Sequence, residues 1–332
     1  MPLAHVWTGR PLRAEALAVF DGLATVSVST VGERNDWYAE ASVADAIIVE
    51  GATFVTGEVM DRIGPHLRVI ARPGIGVDRI DLTAATQRGI MVVNTPDGPT
   101  EPTAEHAIAL MLALCKQVMI GDRVLRSGQP FPRLVDLPLG FELAGAVLGL
   151  IGLGRIGSRV AVIAQALGMR VLTYDPYISP ERASALGVEL VPTLAELLPR
   201  AHVVSIHSPA TPETHHLLNA ETFKLMPQGS YLINVARGAL VDEAALLDAL
   251  RSGHLAGAAL DVYDPEPPLA NNPLFSLPNT ICTPHIASYT TAGVLRMQVM
   301  VCEQIASALR GERPTNLVNP AVWGYQRFRS TT

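Results

Sequence analysis

Short apolar runs separated by helical stretches recur through the first part of the chain. They are bounded by glycine, proline and polar residues, and they read HVWTG (5–9), ATVSVS (24–29), AIIVEG (46–51), LRVIARPG (67–74) and IMVVNTP (90–96). Strands that alternate with helices form βαβ units, in which the strands run parallel. This pattern predicts an α/β domain built on a parallel sheet.

A second series of the same kind follows. Its runs are AVLGLIGLG (146–154), MRVLTYD (169–175), HVVSIHS (202–208), SYLINVARG (230–238), AGAALDVY (256–263) and NTICTPH (279–285). These runs are apolar almost throughout, and such strands need cover on both faces of their sheet. The sequence therefore predicts a second α/β domain with a parallel sheet.

Two longer helices and one irregular segment complete the pattern. One helix is predicted from about Thr103 to Ile120. The other is predicted from Thr291 to Arg310, where the apolar residues recur at helical spacing. The proline-rich segment 128–143 fits neither a helix nor a strand, because proline lacks the backbone donor that both require.

Size and charge limit the possible functions. The chain has 332 residues, of which 48% are hydrophobic, and this length favours two domains over one. The net charge is −6, and lysine and arginine form no cluster that could follow a phosphate backbone. We therefore expect no nucleic-acid partner.

The chain shows no signal for secretion or for a membrane. Its start, MPLAHVWTGR, lacks a basic segment followed by an apolar stretch. The apolar run at 107–115 is far shorter than the roughly 18 residues that suggest a membrane span. Cys115, Cys282 and Cys302 are widely spaced among apolar neighbours, which is typical of reduced thiols. These features predict a cytoplasmic protein that does not bind a membrane.

No metal site is predicted. His215 and His216 are adjacent in the sequence, and neighbours on an extended chain point in opposite directions. Neither a cysteine nor a cluster of acids accompanies them.

A glycine motif predicts a dinucleotide site. Gly152, Gly154 and Gly157 follow a predicted strand and open a helix in the pattern G-x-G-x-x-G. The first glycine permits the tight turn, the second lets the backbone approach a pyrophosphate, and the third allows the helix to pack against the strand. The N-terminus of that helix offers free N–H groups to the phosphates.

The residue that ends the next strand indicates which dinucleotide binds. Asp175 lies 23 residues after Gly152, where a carboxylate can accept hydrogen bonds from the ribose hydroxyls. The same carboxylate repels a 2′-phosphate, so the sequence favours NAD over NADP.

Several further stretches match one family in the same order. They are ARPGIGVDRID (71–81), NTPDGPTEPTAEHAIALML (94–112), INVARGALVDEAAL (233–246), ALDVYDPEPP (259–268) and PHIAS (284–288). Over about residues 45–310 the chain resembles the NAD-dependent D-isomer specific 2-hydroxyacid dehydrogenases, and especially the D-3-phosphoglycerate dehydrogenase group.

The resemblance implies an α/β fold with two Rossmann-like, doubly wound parallel-sheet domains. A discontinuous substrate-binding, flavodoxin-like domain would comprise residues 1–98 and 287–332, and an NAD-binding Rossmann domain residues 99–286. The resemblance also implies a homodimer, with the arm that joins the subunits in the proline-rich segment.

The resemblance identifies Arg237, Glu266 and His285 as catalytic residues. The planar fork of Arg237 suits a bidentate grip on a carboxylate. His285 can donate a proton in reduction and accept one in oxidation. Glu266 would hydrogen-bond the ring nitrogen away from the substrate and fix the tautomer, as the carboxylate does in a Ser-His-Asp triad.

Other roles also come from the resemblance. The cofactor-binding residues would be Gly152, Gly154, Arg155, Ile156, Gly157, Asp175, Thr103, His207, Ser208, Ala236 and Asp261, with Asp261 on the nicotinamide carboxamide. The substrate-binding residues would be Arg72, Ile75, Gly76, Arg237 and His285, with Ile75 and Gly76 acting through backbone amides. His106 is expected to pack between the domains rather than to bind a ligand.

The predicted function is reversible hydride transfer between NAD(H) and a small anionic D-2-hydroxy acid or 2-keto acid, such as phosphoglycerate, hydroxypyruvate or glyoxylate. Two alternatives use the same fold. One is an NAD-sensing corepressor that binds peptide partners, and the other is a dehydrogenase that oxidises an inorganic anion such as phosphite.

Overall fold

The chain folds into two compact units. The computed structural model describes residues 3–31, 36–51, 53–128 and 131–324. The first unit combines Met1–Pro99 with Tyr289–Thr332, and the second unit is Thr100–Ser288. The first unit is therefore built from two separate parts of the chain.

The secondary structure alternates between strands and helices. The strands are β1 (Ala4–Thr8), β2 (Ala24–Val28), β3 (Ala46–Ile48), β4 (Val69–Arg72), β5 (Met91–Asn94), β6 (Val147–Ile151), β7 (Arg170–Tyr174), β8 (Glu189–Leu190), β9 (Val203–Ile206), β10 (Ser230–Asn234), β11 (Leu255–Leu260) and β12 (Thr280–Cys282). The helices are α1 (Ala14–Leu17), α2 (Trp37–Glu40), α3 (Gly57–Ile63), α4 (Leu82–Gln87), α5 (Thr100–Cys115), α6 (Val118–Arg126), α7 (Arg155–Ala166), α8 (Pro180–Ala185), α9 (Leu194–Leu197), α10 (Ala220–Leu225), α11 (Glu243–Arg251) and α12 (Thr291–Leu309).

The first unit contains a five-stranded parallel sheet in the order β2-β1-β3-β4-β5. Successive residues of a strand point to opposite faces, and in β3, β4 and β5 successive residues are buried, so both faces of these strands are covered. Val69 of β4 packs in the cluster that contains Ile305 of α12, whereas Ile70 packs on the other face with Trp37. The C-terminal helix α12 thus returns to cover the sheet of the N-terminal segment.

The second unit contains a seven-stranded parallel sheet in the order β12-β11-β10-β9-β6-β7-β8. The chain moves outward from β6 to β8 and then crosses to β9 on the other side of β6. This reversal creates a topological switch point, where open α/β sheets bind ligands beyond the carboxyl ends of the strands. The prediction of two doubly wound parallel sheets is confirmed.

One predicted helix was wrong in its extent. The helix expected from Thr103 to Ile120 is two helices, because α5 ends at Cys115 and Gln117 adopts a left-handed conformation with φ 57°. Left-handed geometry cannot continue a right-handed helix, so α6 begins anew at Val118. Within the described residues, no helix combines the length and apolarity needed to cross a bilayer.

Candidate active site

Three neighbouring strands present the predicted catalytic residues at one edge of the second sheet. Strands β10, β11 and β12 are adjacent and parallel, so their carboxyl ends lie at the same edge. Arg237 follows β10, Glu266 follows β11 and His285 follows β12. These three residues are far apart in sequence, but they follow strands whose carboxyl ends lie at the same edge of the sheet.

His285 and Glu266 form a direct pair. Nδ1 of His285 lies 2.5 Å from Oε1 of Glu266. A carboxylate only accepts, so Nδ1 carries the proton and donates it. Nε2 is then the ring nitrogen that the pair leaves open to other partners. The pair is partly accessible to solvent.

The loop that carries His285 is held by Asp261. His285 has φ 54°, a left-handed conformation that is uncommon for a residue with a side chain. Its backbone N–H donates to the carbonyl of Asp261 at 2.8 Å. The fully buried Asp261 carboxylate then accepts from the amides of Ile286 at 2.9 Å and Ala287 at 2.8 Å. These bonds fix the backbone on both sides of the histidine ring.

A hydroxyl and a second histidine extend this network. Thr283 Oγ1 donates to Asp261 Oδ1 at 2.5 Å, and Nε2 of His106 lies 3.3 Å from the same hydroxyl oxygen. Because the hydroxyl proton is already directed at the carboxylate, the His106 ring must donate to the oxygen. His106 therefore contacts Thr283 inside the second unit, and its assignment to packing between the domains stays a prediction. Neither contact had a signal in the sequence, since α5 and β12 are distant along the chain.

The backbone around Arg237 is tightly packed. A Cβ atom on the next residue, Gly238, would lie 1.9 Å from the carbonyl carbon of Tyr263. Only glycine permits this approach, which brings the Arg237 loop against the segment that leads to Glu266. The Arg237 guanidinium donates through Nη1 to the carbonyl of Ala236 at 2.7 Å.

The glycine motif forms the bend between β6 and α7. Gly152 has φ 97°, and a Cβ atom there would lie 2.9 Å from the His207 carbonyl oxygen. A Cβ atom on Gly157 would lie 2.2 Å from the Gly152 carbonyl oxygen, so this glycine lets α7 approach the bend. A Cβ atom on Gly154 would meet no protein atom within 4 Å. Space at Gly154 is open to a ligand.

Asp175 follows β7 and ties the glycine bend to its own turn. Its Oδ2 accepts from the amide of Leu153 at 2.8 Å, and its Oδ1 accepts from the amide of Tyr177 at 2.9 Å. The carboxylate thus lies beside the bend, which is the position expected of a ribose-binding acid.

Two buried polar atoms follow β9 at the same edge. Nδ1 of His207 and Oγ of Ser208 are buried without a hydrogen-bond partner among the described residues. Burial lowers the pKa of His207 to about 3, so its ring is neutral at physiological pH. Buried polar atoms normally have partners, and a bound ligand could supply one here. Together with the open space at Gly154, these atoms fit a dinucleotide.

The remaining predicted cofactor residues range from buried to exposed. Thr103 is buried within α5. Arg155 and Ile156 form the first turn of α7, and the Ile156 side chain packs on the hydrophobic core. Ala236 also packs partly on a core cluster. Any contact that Ile156 makes with a dinucleotide would therefore use its backbone.

The predicted substrate residues of the first unit lie after β4. Arg72 donates to the carbonyls of Val49 and Gly51 at 3.4 and 3.1 Å. The carbonyl of Ile75 accepts from Asn94 at 2.7 Å. In the described structure the amides of Ile75 and Gly76 donate to no protein acceptor. This pair of amides remains available to an anion.

The adjacent histidines contradict the sequence-based argument. The rings of His215 and His216 are stacked with their centroids 3.9 Å apart, and Asp264 lies beside them. They share one side because His216 has φ 48°, so the chain turns there instead of running extended. The expectation that they point in opposite directions was wrong, and one acid, Asp264, accompanies them.

Comparison with known proteins identifies the family. The family model "D-isomer specific 2-hydroxyacid dehydrogenase, NAD binding domain" matches residues 108–287, more than half of the chain. The chain belongs to this family. The resemblance noted from the sequence is confirmed, and the cofactor of the family domain is a nicotinamide dinucleotide.

Individual proteins match almost the whole chain. A D-3-phosphoglycerate dehydrogenase of Archaeoglobus fulgidus is 43% identical over 316 residues, which are 95% of this chain and 59% of that protein. The structure of the TT0316 protein from Thermus thermophilus matches with a TM-score of 0.86 and 42% identity, covering 95% of this chain and 99% of that one. A glyoxylate reductase from Paecilomyes thermophila matches with a TM-score of 0.86 and 28% identity, covering 96% and 99%.

The chain spans 58–59% of the length of the first curated relatives it matches. The curated relatives are named D-3-phosphoglycerate dehydrogenase, and the Paecilomyes protein is named a glyoxylate reductase. The corepressor and phosphite alternatives are therefore not favoured.

Proposed function

We propose that the protein is an oxidoreductase that transfers hydride reversibly between NAD(H) and a small D-2-hydroxy acid or 2-keto acid. The observation that carries this proposal is the 2.5 Å contact between His285 and Glu266 at the sheet edge that also holds the glycine bend. A histidine whose Nδ1 is fixed by a carboxylate is suited to proton transfer through Nε2.

The chemistry needs one proton for each hydride. When bound, the reduced dinucleotide supplies the hydride to the carbonyl carbon of the keto acid. Nε2 of His285 donates a proton to the carbonyl oxygen, which becomes the hydroxyl group. Glu266 holds the ring orientation and stabilises the imidazolium while His285 is protonated. In the reverse direction His285 accepts the proton from the hydroxyl group.

We assign the substrate carboxylate to Arg237. Its guanidinium can form two parallel hydrogen bonds with a carboxylate and can polarise the neighbouring carbonyl. In the first unit, Ile75 and Gly76 are proposed to bind an anionic group of the substrate, and their unpaired amides support this role. Arg72 is proposed to bind a second anionic group.

The dinucleotide is proposed to bind through the second unit, as an NAD-binding domain of residues 99–286. Residues 1–98 and 287–332 would form the substrate-binding domain. The proposed cofactor contacts comprise the backbone of the glycine bend and the first turn of α7, the carboxylates of Asp175 and Asp261, and Thr103, His207, Ser208 and Ala236. The position of Asp175 beside the bend supports NAD over NADP.

We further propose that the protein is a cytoplasmic homodimer. Large apolar side chains with more than four-fifths of their surface exposed support the dimer: Phe131, Leu134, Val135 and Leu139. The cysteines are unpaired, and burial raises the thiol pKa values of Cys115 and Cys302 to about 12, which suits inert thiols in a reducing compartment. Light scattering of wild type and of Leu134→Asp should give a dimer and a monomer respectively.

The test is NADH oxidation with a panel of keto acids that includes hydroxypyruvate, its phosphate ester, glyoxylate and branched-chain keto acids. Wild type should turn over at least one of them. His285→Ala should lose turnover while it binds NADH almost as wild type does. Near-normal kcat in His285→Ala, or no oxidation with any acid of the panel, would refute the proposal.

A further inference from the structure

A cluster of metal-ligating side chains lies outside the residues assigned to catalysis and to the cofactor. It comprises His215 and His216 from the segment after β9 and Asp264 from the segment after β11, and we call it the HHD cluster. One potential ligand atom from each residue lies within 4.8 Å of the other two. No ion is present at this cluster.

The backbone orients the two imidazoles toward the same side. The left-handed φ of 48° at His216 turns the chain and stacks the two rings at an angle of 24°. This turn is fixed, because the His216 amide donates to the Ala239 carbonyl at 2.9 Å and the His216 carbonyl accepts from Asn219 at 2.9 Å. A left-handed residue with a side chain costs energy, and here it places two nitrogen ligands together.

The third ligand is also held from the backbone. The amide of Asp264 donates to Glu243 Oε1 at 3.0 Å, which anchors the residue while its carboxylate stays unengaged. In the described structure no hydrogen bond or ion pair joins this carboxylate to either ring, and the ring nitrogens have no other partner. Three potential metal ligands thus lie close together without a hydrogen bond between them.

The spacing suits an intervening ion. Direct hydrogen bonds need separations below about 3.5 Å. Three donors held at about 2.0–2.2 Å from one tetrahedral ion lie about 3.4 Å from one another. Rotation of the exposed His215 and Asp264 side chains would unstack the two rings and bring the ligand atoms of the HHD cluster to that separation.

The donor set selects the class of ion. Two imidazoles with one carboxylate favour Zn²⁺, Co²⁺, Ni²⁺ or Cu²⁺, whereas Mg²⁺ and Ca²⁺ prefer oxygen ligands. Three protein ligands also leave a coordination position for water. We propose that the HHD cluster binds one divalent transition-metal ion, and that this ion is Zn²⁺ in the native protein.

The test uses metal-free full-length protein titrated with Co²⁺ and with Zn²⁺. Co²⁺ reports its coordination through visible absorption, and calorimetry with Zn²⁺ gives the stoichiometry and affinity. The variants are His215→Gln, His216→Asn and Asp264→Asn. Asparagine is chosen at residue 216 because it tolerates the left-handed backbone better than most residues. Circular dichroism checks that each variant is folded.

Wild type should bind one ion per chain. The visible absorption of bound Co²⁺ should indicate four or five ligands, and added Zn²⁺ should abolish this absorption, whereas excess Mg²⁺ should not. Each variant should bind the ion at least about tenfold more weakly than wild type does. Loss of a residue that only hydrogen-bonds to a metal ligand can already weaken metal binding this much. The matched control is His66→Gln, which removes an exposed histidine of the first unit and should bind as wild type does. The proposal is overturned if all three variants keep the wild-type affinity, or if His66→Gln weakens binding as much as they do.

Discussion

Gly154 and Gly157 stand three residues apart in one motif, and the structure predicts opposite consequences for their replacement by alanine. The new methyl group at Gly154 would meet no protein atom within 4 Å. At Gly157 it would lie 2.2 Å from the carbonyl oxygen of Gly152. Gly154→Ala should therefore impair the ligand site, and Gly157→Ala should impair the fold.

The magnitudes follow from the local backbone. Gly154 has φ −69°, which alanine adopts freely, and it is the N-cap of α7. Weaker capping by alanine lowers the free energy of unfolding by roughly 0.5–1 kcal/mol. Alanine also reduces the entropy of the unfolded chain, which raises the free energy of unfolding by about 0.4–1 kcal/mol. The melting temperature should therefore change little. If the methyl group displaces one backbone hydrogen bond to a phosphate, about 1.5–3 kcal/mol is lost, which weakens NADH binding about 10- to 100-fold.

Gly157→Ala should behave differently. Overpacking costs about 1–3 kcal/mol, which lowers the melting temperature by roughly 2–12 °C for a unit of this size. Calorimetry measures the stability of both variants, and the quenching or enhancement of NADH fluorescence measures their affinity. The reasoning is refuted if Gly154→Ala binds NADH as tightly as wild type does, or if Gly157→Ala melts at the wild-type temperature.

Three further predictions use the same edge of the sheet. Asp175→Ala should weaken NADH more than NADPH in binding titrations, and unchanged selectivity would contradict its assignment to the ribose. Burial lowers the pKa of His207 from 6.5 to about 3 in the folded chain. Between these two pH values the ring is neutral in the folded chain and protonated in the unfolded chain, so the free energy of unfolding falls as the pH falls. Between pH 6.5 and 5 this amounts to about 2 kcal/mol, and urea unfolding should show that wild type loses this much more than His207→Gln; equal losses would contradict it. Thr283→Val should lower kcat while the KM for NADH stays near that of wild type, and Thr283→Ser should restore kcat; a fall in melting temperature without a change in kcat would show that Thr283 supports only the fold.

Much of the architecture was predictable because its signals are local. The apolar runs marked the longer strands, since a strand buried on both faces must be apolar at nearly every position. The break between α5 and α6 was not predictable in the same way. Gln117 has no intrinsic need for a left-handed conformation, and the sequence around it is compatible with an uninterrupted helix.

The features of the candidate site also differ in whether they have a local signal in the sequence. The glycine bend and the pair of Glu266 and His285 follow motifs that can be recognised in order along the chain. The hydrogen bond between His106 and Thr283 joins residues 177 positions apart, so only the fold reveals it. The HHD cluster has no signal in the sequence for a related reason, because it depends on the turn that the chain makes at His216.

Strand β12 has only three residues and pairs on one side alone, with β11. His285, the proposed proton donor, therefore follows the outermost strand of this side of the sheet, where fraying costs least. If the anchoring carboxylate of Asp261 is removed, mild heat or low denaturant should release the histidine loop while the rest of the sheet persists. The proposed activity thus requires that this edge strand stays paired, and its loss should precede global melting.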